Sequence, residues 1–487
     1  MSRTSRRVLS GLAIGCGALA LVLSASLAAQ QTLDRAKIPP AGKTPELHVP
    51  TWTRTTLTNG VELVVSEKHD LPLVSFTMTF IGGASQYEAA NRRGLASLTS
   101  SLMSEGTTSR DGDALSNEMQ LLGTTIGVGV GGETGSINFQ STSAKFPAAL
   151  DLATDMLLHP TFPEAALERQ RTQRLVALSQ SKAQTAGIAA RVFPRVLYGA
   201  AHPYGQFVTE DSYKAITRED VVAFHKAYFQ PGRALAVVVG DVTPASAKAA
   251  LEKAFAAWPK AGTKPAFEYP AVPARSATTI YLADKPGAEQ STFAIGNPGP
   301  PRSTADFYAL QVMNTMLGGM FQSRLNANIR EDKGYSYGVN SSFAYGRGPG
   351  AFRAGGEIVS AKSDAALGEF MKELRGMALG TRPVTDEELT TAKDALMQRL
   401  PGQFASVGSI NGAITTLWTS DLPETYYQNY GAKIAAITKA DVVRVAKQYI
   451  DLDHLAIVIV GDRASIEAPL KATNIAPIVI VDADGGR

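Results

Sequence analysis

The chain has 487 residues, of which 44% are hydrophobic and 19% charged, with a formal net charge of +3. That length and composition suit roughly two to four domains with apolar cores and exclude a disordered polymer. Three of the 47 basic residues (Arg3, Arg6 and Arg7) and none of the 44 acidic ones fall in the first 28 positions, so the remainder is balanced and keeps no basic block suited to nucleic acid.

In chain order, residues 1–28 read as a signal peptide: arginines, an apolar stretch from Val8 to Leu27, then Ser26, Leu27 and Ala28 before a cut at Ala29. An uncleaved membrane anchor is the alternative, because the stretch is nearly long enough to span a bilayer. The single cysteine, Cys16, lies inside this segment, so the mature chain has no disulfide and no thiolate metal site. No later segment is apolar enough to span a membrane, and export, most simply to a periplasm, is expected. Residues 29–48, with Pro39 and Pro40, form a flexible leader.

Strands are expected over 56–67 and 71–81, with a turn at Lys68, His69 and Asp70, then helices over 92–104 and 113–122. Strands over 124–130 and 135–142 follow, then helices over 145–157 and 163–182. A further helix and strand run from Ile216 to Asp241. Residues 259–277, with Pro259, Pro265, Pro270 and Pro273, read as a linker. Beyond it come strands over 278–282 and 291–297, a helix over 305–316, strands over 335–345 and 350–357, and helices over 361–378 and 385–400.

The segment from Ile216 to Asp241 recurs, without a gap, from Ile437 to Asp462, offset by 221 residues. Asp220 aligns with Asp441, Lys226 with Lys447 and Tyr228 with Tyr449. Each copy reads as a helix opened by a threonine cap with an aspartate at its third position, followed by a short β-branched, buried strand closed by Gly-Asp. So long an offset signals duplication of a whole domain, not a solenoid. The expected domains are 49–258 and 278–475, with a tail over 476–487.

Residues 94–107 carry the most informative motif. Gly94, Ala96, Gly106 and Thr107 stand in the frame Gly-x-Ala-His-x-x-Glu-His-(four residues)-Gly-Thr, and this stretch resembles the zinc helix of the pitrilysin/insulinase family of peptidases. Ser97 and Ser101 occupy the two histidine positions and Ser100 the position of the catalytic glutamate. Histidines four residues apart share a helix face and can hold one zinc, while the glutamate acts on metal-bound water. A serine hydroxyl is a poor zinc donor and no general base near neutral pH. The family's third ligand, a glutamate in a later long helix, is missing too, since no acid lies between Glu168 and Glu210. Leu95, Leu98 and Leu102 are expected to pack inward. None of the six histidines has another three or four residues away, so a substitute site is not indicated.

The second half carries Gly318, Gly319, Ser323, Arg324, Leu325, Arg330, Glu331, Gly334 and Tyr337 in an order similar to that family's C-terminal signature. In two-subunit members, an arginine and a tyrosine of this signature reach the active site of the zinc-bearing partner; they map onto Arg330 and Tyr337. Two literal pattern matches carry less weight. Gly127, Gly129 and Gly132 fit Gly-x-Gly-x-x-Gly, but an alternating strand follows where a phosphate site needs a helix. Ser179 and Lys182 fit Ser-x-x-Lys in mid-helix without companion elements.

The resemblance, spanning about residues 50–470, implies an α+β fold of two homologous domains. Each is a mostly antiparallel sheet backed by helices, and together they form a clam shell. It further implies a non-catalytic, substrate-binding subunit of a heteromeric zinc metallopeptidase. Such a chain binds no cofactor itself, takes peptide substrate, and relies on a zinc-bearing partner of the same family. The alternative is a catalytically silent peptide-binding or structural protein of the same fold.

Overall fold

A computed structural model describes residues 47–486. The expected signal segment, and the leader as far as residue 46, lie outside the described residues. From His48 onward the chain is one compact unit built on two six-stranded sheets. No helix among the described residues is long and apolar enough to cross a membrane.

The first sheet runs in the order β1 (Thr53–Thr56), β2 (Glu62–Glu67), β6 (Ala234–Gly240), β3 (Leu73–Ile81), β5 (Thr134–Thr142) and β4 (Gly127–Val130). The second runs β12 (Ile478–Val481), β7 (Thr279–Asp284), β11 (Ala456–Gly461), β8 (Gln290–Gly299), β10 (Gly350–Val359) and β9 (Val339–Ala344). Five positions correspond one to one, including a single internal parallel pair in each sheet, β2 with β6 and β7 with β11. Only the edges differ: β1 pairs antiparallel with β2, whereas β12 pairs parallel with β7. The duplication seen in the sequence is therefore a duplicated α+β topology.

The repeated helices are Arg218–Tyr228 and Lys439–Tyr449. Each opens with the expected reciprocal cap: Thr217 with Asp220, and Thr438 with Asp441. The strands that follow, β6 and β11, are buried at every residue. Such strands need cover on both faces. On one face, Ala236 and Val238 join the first core, and Ile457 and Ile459 the second, beneath each half's own helices.

The other face is covered by exchange. Helix Thr185–Tyr198, from the first half, lies on β8 and β11 of the second sheet. Its Ile188, Val192 and Phe193 pack with Ala294, Val458 and Val460. Helix Val407–Thr419, from the second half, lies reciprocally on β3 and β6 of the first. There the buried Asn411 amide donates to the Ser75 carbonyl at 3.2 Å and the Val237 carbonyl at 3.1 Å.

Several departures from the expected elements shape the fold and the site. The first expected strand, 56–67, is split by a turn at Asn59 and Gly60, where Gly60 takes φ +96°, giving the hairpin β1–β2. Helix 305–316 is regular only over Phe307–Asn314 and then widens into a π-turn over Thr315–Gly319. The strand expected from 335 starts at Val339, leaving Tyr337 in a loop. The exchanged helices fall outside every expected element. Residues 476–487, expected as a tail, supply β12. Segment 259–275 has no regular structure, and the glycines at 127–132 lie in the hairpin β4–β5, with no helix after them.

Candidate functional site

The degenerate motif forms helix Leu95–Leu102. Leu98 and Leu102 are wholly buried and Leu95 nearly so, packing the helix into the first core. Gly94 precedes it at φ +100°, where a Cβ would meet the Tyr213 ring at 2.5 Å, so only glycine suits this entry. Two of the first free amides donate to Glu88, Gly94 N at 3.2 Å and Ala96 N at 2.6 Å. Glu88 is buried beside Arg93, 3.7 Å away. Burial raises the Glu88 carboxyl above its ordinary value, against the pull of those amides and of Arg93.

At the other end, Thr107 Oγ1, Ser109 Oγ and Arg110 Nη1 donate to one oxygen of Asp155 at 2.7, 2.8 and 2.7 Å. Burial pushes the Asp155 carboxyl up, but these three donors outweigh it and hold the group below its usual range. The residues retained from the zinc-helix frame thus have structural work independent of a metal.

The three serine hydroxyls donate only within their own helix among the described residues. Ser97 Oγ donates to the Gly94 carbonyl at 3.1 Å, and Ser100 Oγ and Ser101 Oγ to the Ser97 carbonyl at 3.1 and 3.0 Å. Each hydroxyl is turned back on its own helix. Arg174, on the facing helix Glu164–Lys182, donates through Nη2 to Ser101 Oγ at 2.6 Å and to the Ser97 carbonyl at 3.3 Å. The family's third ligand would stand on this long helix; here, as expected, the acid is missing, and the helix brings a guanidinium instead. Back-bonded hydroxyls beside a fixed positive charge do not fit zinc, which needs imidazole, thiolate or carboxylate donors. Arg174 was missed in the sequence; the run of arginines between Glu168 and Glu210, with no acid among them, was the available signal.

Arg330 lies in a wide helical turn, Asn326–Asp332, and Tyr337 in the loop between that turn and β9. Gly334, at φ +65°, reverses the chain between them, and its amide donates to the Arg330 carbonyl at 3.1 Å. The loop is anchored on β10: Ser336 Oγ donates to the Glu357 carbonyl at 2.6 Å, and the Val359 amide to the Tyr335 carbonyl at 3.0 Å. Just beyond these anchors Tyr337 is 90% exposed. The Arg330 guanidinium sits over the exposed Phe321 ring, 4.3 Å from its centroid, and among the described residues its one ion pair is a 3.4 Å contact with Glu331.

Other signature residues are structural. Buried Arg324 grips Glu388 through two bonds of 2.7 and 2.8 Å and donates to the Arg382 and Pro383 carbonyls. The structure thus brings Arg330 and Tyr337 onto one helix–loop unit of the second half and the serines onto the first half. No hydrogen bond or ion pair joins the two groups among the described residues.

Two pseudo-repeated α+β halves, with a zinc-helix frame whose ligand positions hold hydroxyls, define a metallopeptidase-like protein without its metal ligands. The chain belongs to the insulinase family, peptidase family M16: residues 63–200 match the profile of that family, and residues 215–396 that of the peptidase M16 inactive domain. Given Ser97, Ser100 and Ser101, it is an inactive member.

It is 24% identical over 290 residues to the uncharacterized zinc protease YmxG of Bacillus subtilis, covering 59% of this chain and 69% of that one. With a Mycobacterium leprae zinc protease the match covers 65% of the relative, so these matches span about two thirds of the zinc proteases' length. The non-peptidase homolog YmxG of Helicobacter pylori is 24% identical over 417 residues, 83% of this chain and 92% of that one. Among solved structures, a peptidase M16 inactive domain from Pseudomonas fluorescens superposes with a TM-score of 0.77 at 25% identity, covering 84% of this chain and 98% of that one.

Proposed function

We propose that this chain is the non-catalytic, substrate-gripping subunit of a two-chain zinc metallopeptidase acting on peptides. A separate family member supplies zinc with its histidines and glutamate. This chain binds no zinc of its own and contributes Arg330 and Tyr337. The proposal includes export to a periplasm, read from the first 28 residues.

The observation that carries the reading is the 90% exposed phenol of Tyr337, in a loop that Ser336 ties to β10, on the same helix–loop unit as Arg330. A side chain held so openly contributes little to its own fold. Arg330 has planar, forked donors suited to a peptide carbonyl or carboxylate. The Tyr337 hydroxyl can donate to an oxygen that gains negative charge as an amide is attacked.

Mixed with a family member carrying intact His-x-x-Glu-His, the chain should raise peptide cleavage above that of the partner alone. Arg330→Ala and Tyr337→Phe should each lower that enhancement by on the order of tenfold to hundredfold. No enhancement, or an enhancement indifferent to both substitutions, would leave a catalytically silent peptide-binding or structural protein as the better reading. Elemental analysis of the purified chain should give far less than one zinc per molecule; a stoichiometric content defeats the proposal.

A further inference from the structure

A cavity of about 1120 Å³ lies away from both groups of residues discussed above; none of Ser97, Ser100, Ser101, Arg330 or Tyr337 lines it. It is shared by the two halves: the hairpin residues Glu133 and Thr134 and the linker residues Phe267 and Tyr269 meet Phe307, Tyr308, Tyr345 and Tyr426 of the second half. The lining is thus aromatic and contains charges of both signs.

The lining carboxylates are already engaged. Glu133 accepts from the Tyr204 hydroxyl and from the Arg347 amide at 3.0 Å. Asp306 accepts from Arg444 and, at 2.9 Å, from Tyr449, while Asp421 accepts from Lys264 and pairs with Arg347 at 2.6 Å. Asp441 caps its own helix through the Thr438 amide and hydroxyl.

Two lining cations differ. Among the described residues, neither the Arg302 guanidinium nor the Lys433 ammonium enters an ion pair or a side-chain hydrogen bond. Arg302 instead stacks on aromatic rings, 3.4 Å from the Phe307 centroid and 5.3 Å from that of Tyr426. Its backbone amide is tied to the Gly346 carbonyl at 2.9 Å. A guanidinium whose face rests on a ring keeps its in-plane N–H fork for an acceptor, and a carboxylate matches that fork. The hydroxyls of Tyr269 and Tyr345, also in the lining residues, have no hydrogen-bond partner among the described residues.

We infer that this cavity binds the C-terminus of a peptide. The free carboxylate lies on the Arg302 fork, Lys433 adds attraction, and an aromatic or large apolar last side chain packs among Phe307, Tyr308, Tyr345 and Tyr426. The volume exceeds what a single amino acid needs and leaves room for preceding residues. The site needs no partner subunit, so it stands or falls separately from the helper role.

The test is calorimetric titration of the purified full chain, without partner. The probes are a short peptide ending in phenylalanine as the free acid, the same peptide amidated, and N-acetyl-phenylalanine. The free acid should bind about tenfold more tightly than the amide, and Arg302→Met, which keeps an apolar stem on Phe307, should erase that difference. Lys433→Met, at an exposed helix position, should weaken the acid about threefold and provides a readout even if Arg302→Met misfolds. Equal binding of acid and amide, or acid binding untouched by Lys433→Met and Arg302→Met, overturns the inference. N-acetyl-phenylalanine binding as tightly as the peptide also overturns it, because the ligand is then a free aromatic acid.

Discussion

At the scale of single residues, frame and chemistry have come apart. Gly94 is required by the Tyr213 ring, Ala96 is wholly buried, and Thr107 donates to Asp155. These residues maintain the helix and its flanks whether or not a metal is bound. A serine at a ligand position satisfies its hydroxyl within its own helix, so loss of the zinc chemistry leaves the fold intact. Asp155 tests this division. Asp155→Asn should cost about 1–3 kcal/mol at pH 7, measured by urea unfolding, because a nearly buried carboxylate with three donors is lost. Its folded carboxyl sits below the ordinary value of 3.8, so the stabilisation is complete above that value and is lost as pH falls through the folded one. The deficit of the variant should therefore shrink below about pH 3.8. A deficit independent of pH would show that the charge is not what holds the Thr107 turn.

At the scale of elements, the exchanged helices decide how the halves are held. The strands β6 and β11 are apolar at nearly every position, a composition that calls for cover on both faces. Each half supplies its own helices to one face and borrows a helix for the other. Asn411 makes the borrowed helix specific, since its amide satisfies two backbone carbonyls inside an otherwise apolar contact. Asn411→Leu should therefore destabilise the protein by about 1–3 kcal/mol despite adding apolar surface, read from the denaturation midpoint. An unchanged midpoint would mean that those carbonyls find other donors. Neither borrowed helix was legible beforehand: Thr185–Tyr198 contains Gly187 and Pro194, and Val407–Thr419 is rich in serine, threonine and glycine. Such segments have weak intrinsic helix propensity and become helical through packing.

At the scale of the whole molecule, reciprocal exchange makes the linker dispensable for association. A cut engineered within residues 259–277 should leave two fragments that co-elute in gel filtration, because each still covers the other's sheet. Either fragment produced alone should aggregate, having an uncovered apolar sheet face. Two soluble monomeric halves would contradict this architecture. Much of the molecule could be read before any coordinate was known. The capped helices and buried strands follow from local pattern, since capping and periodicity act over a few residues; the repeat came from comparing the chain with itself, and the meaning of the three serines from the family resemblance. Tertiary structure alone decided the helix exchange, the Arg174 guanidinium beside Ser101, the open placement of Tyr337, and the stacking of Arg302 on Phe307. Each of these depends on which surfaces meet across long stretches of chain. That choice is made by burying both faces of two sheets at once, and no local run of residues encodes it.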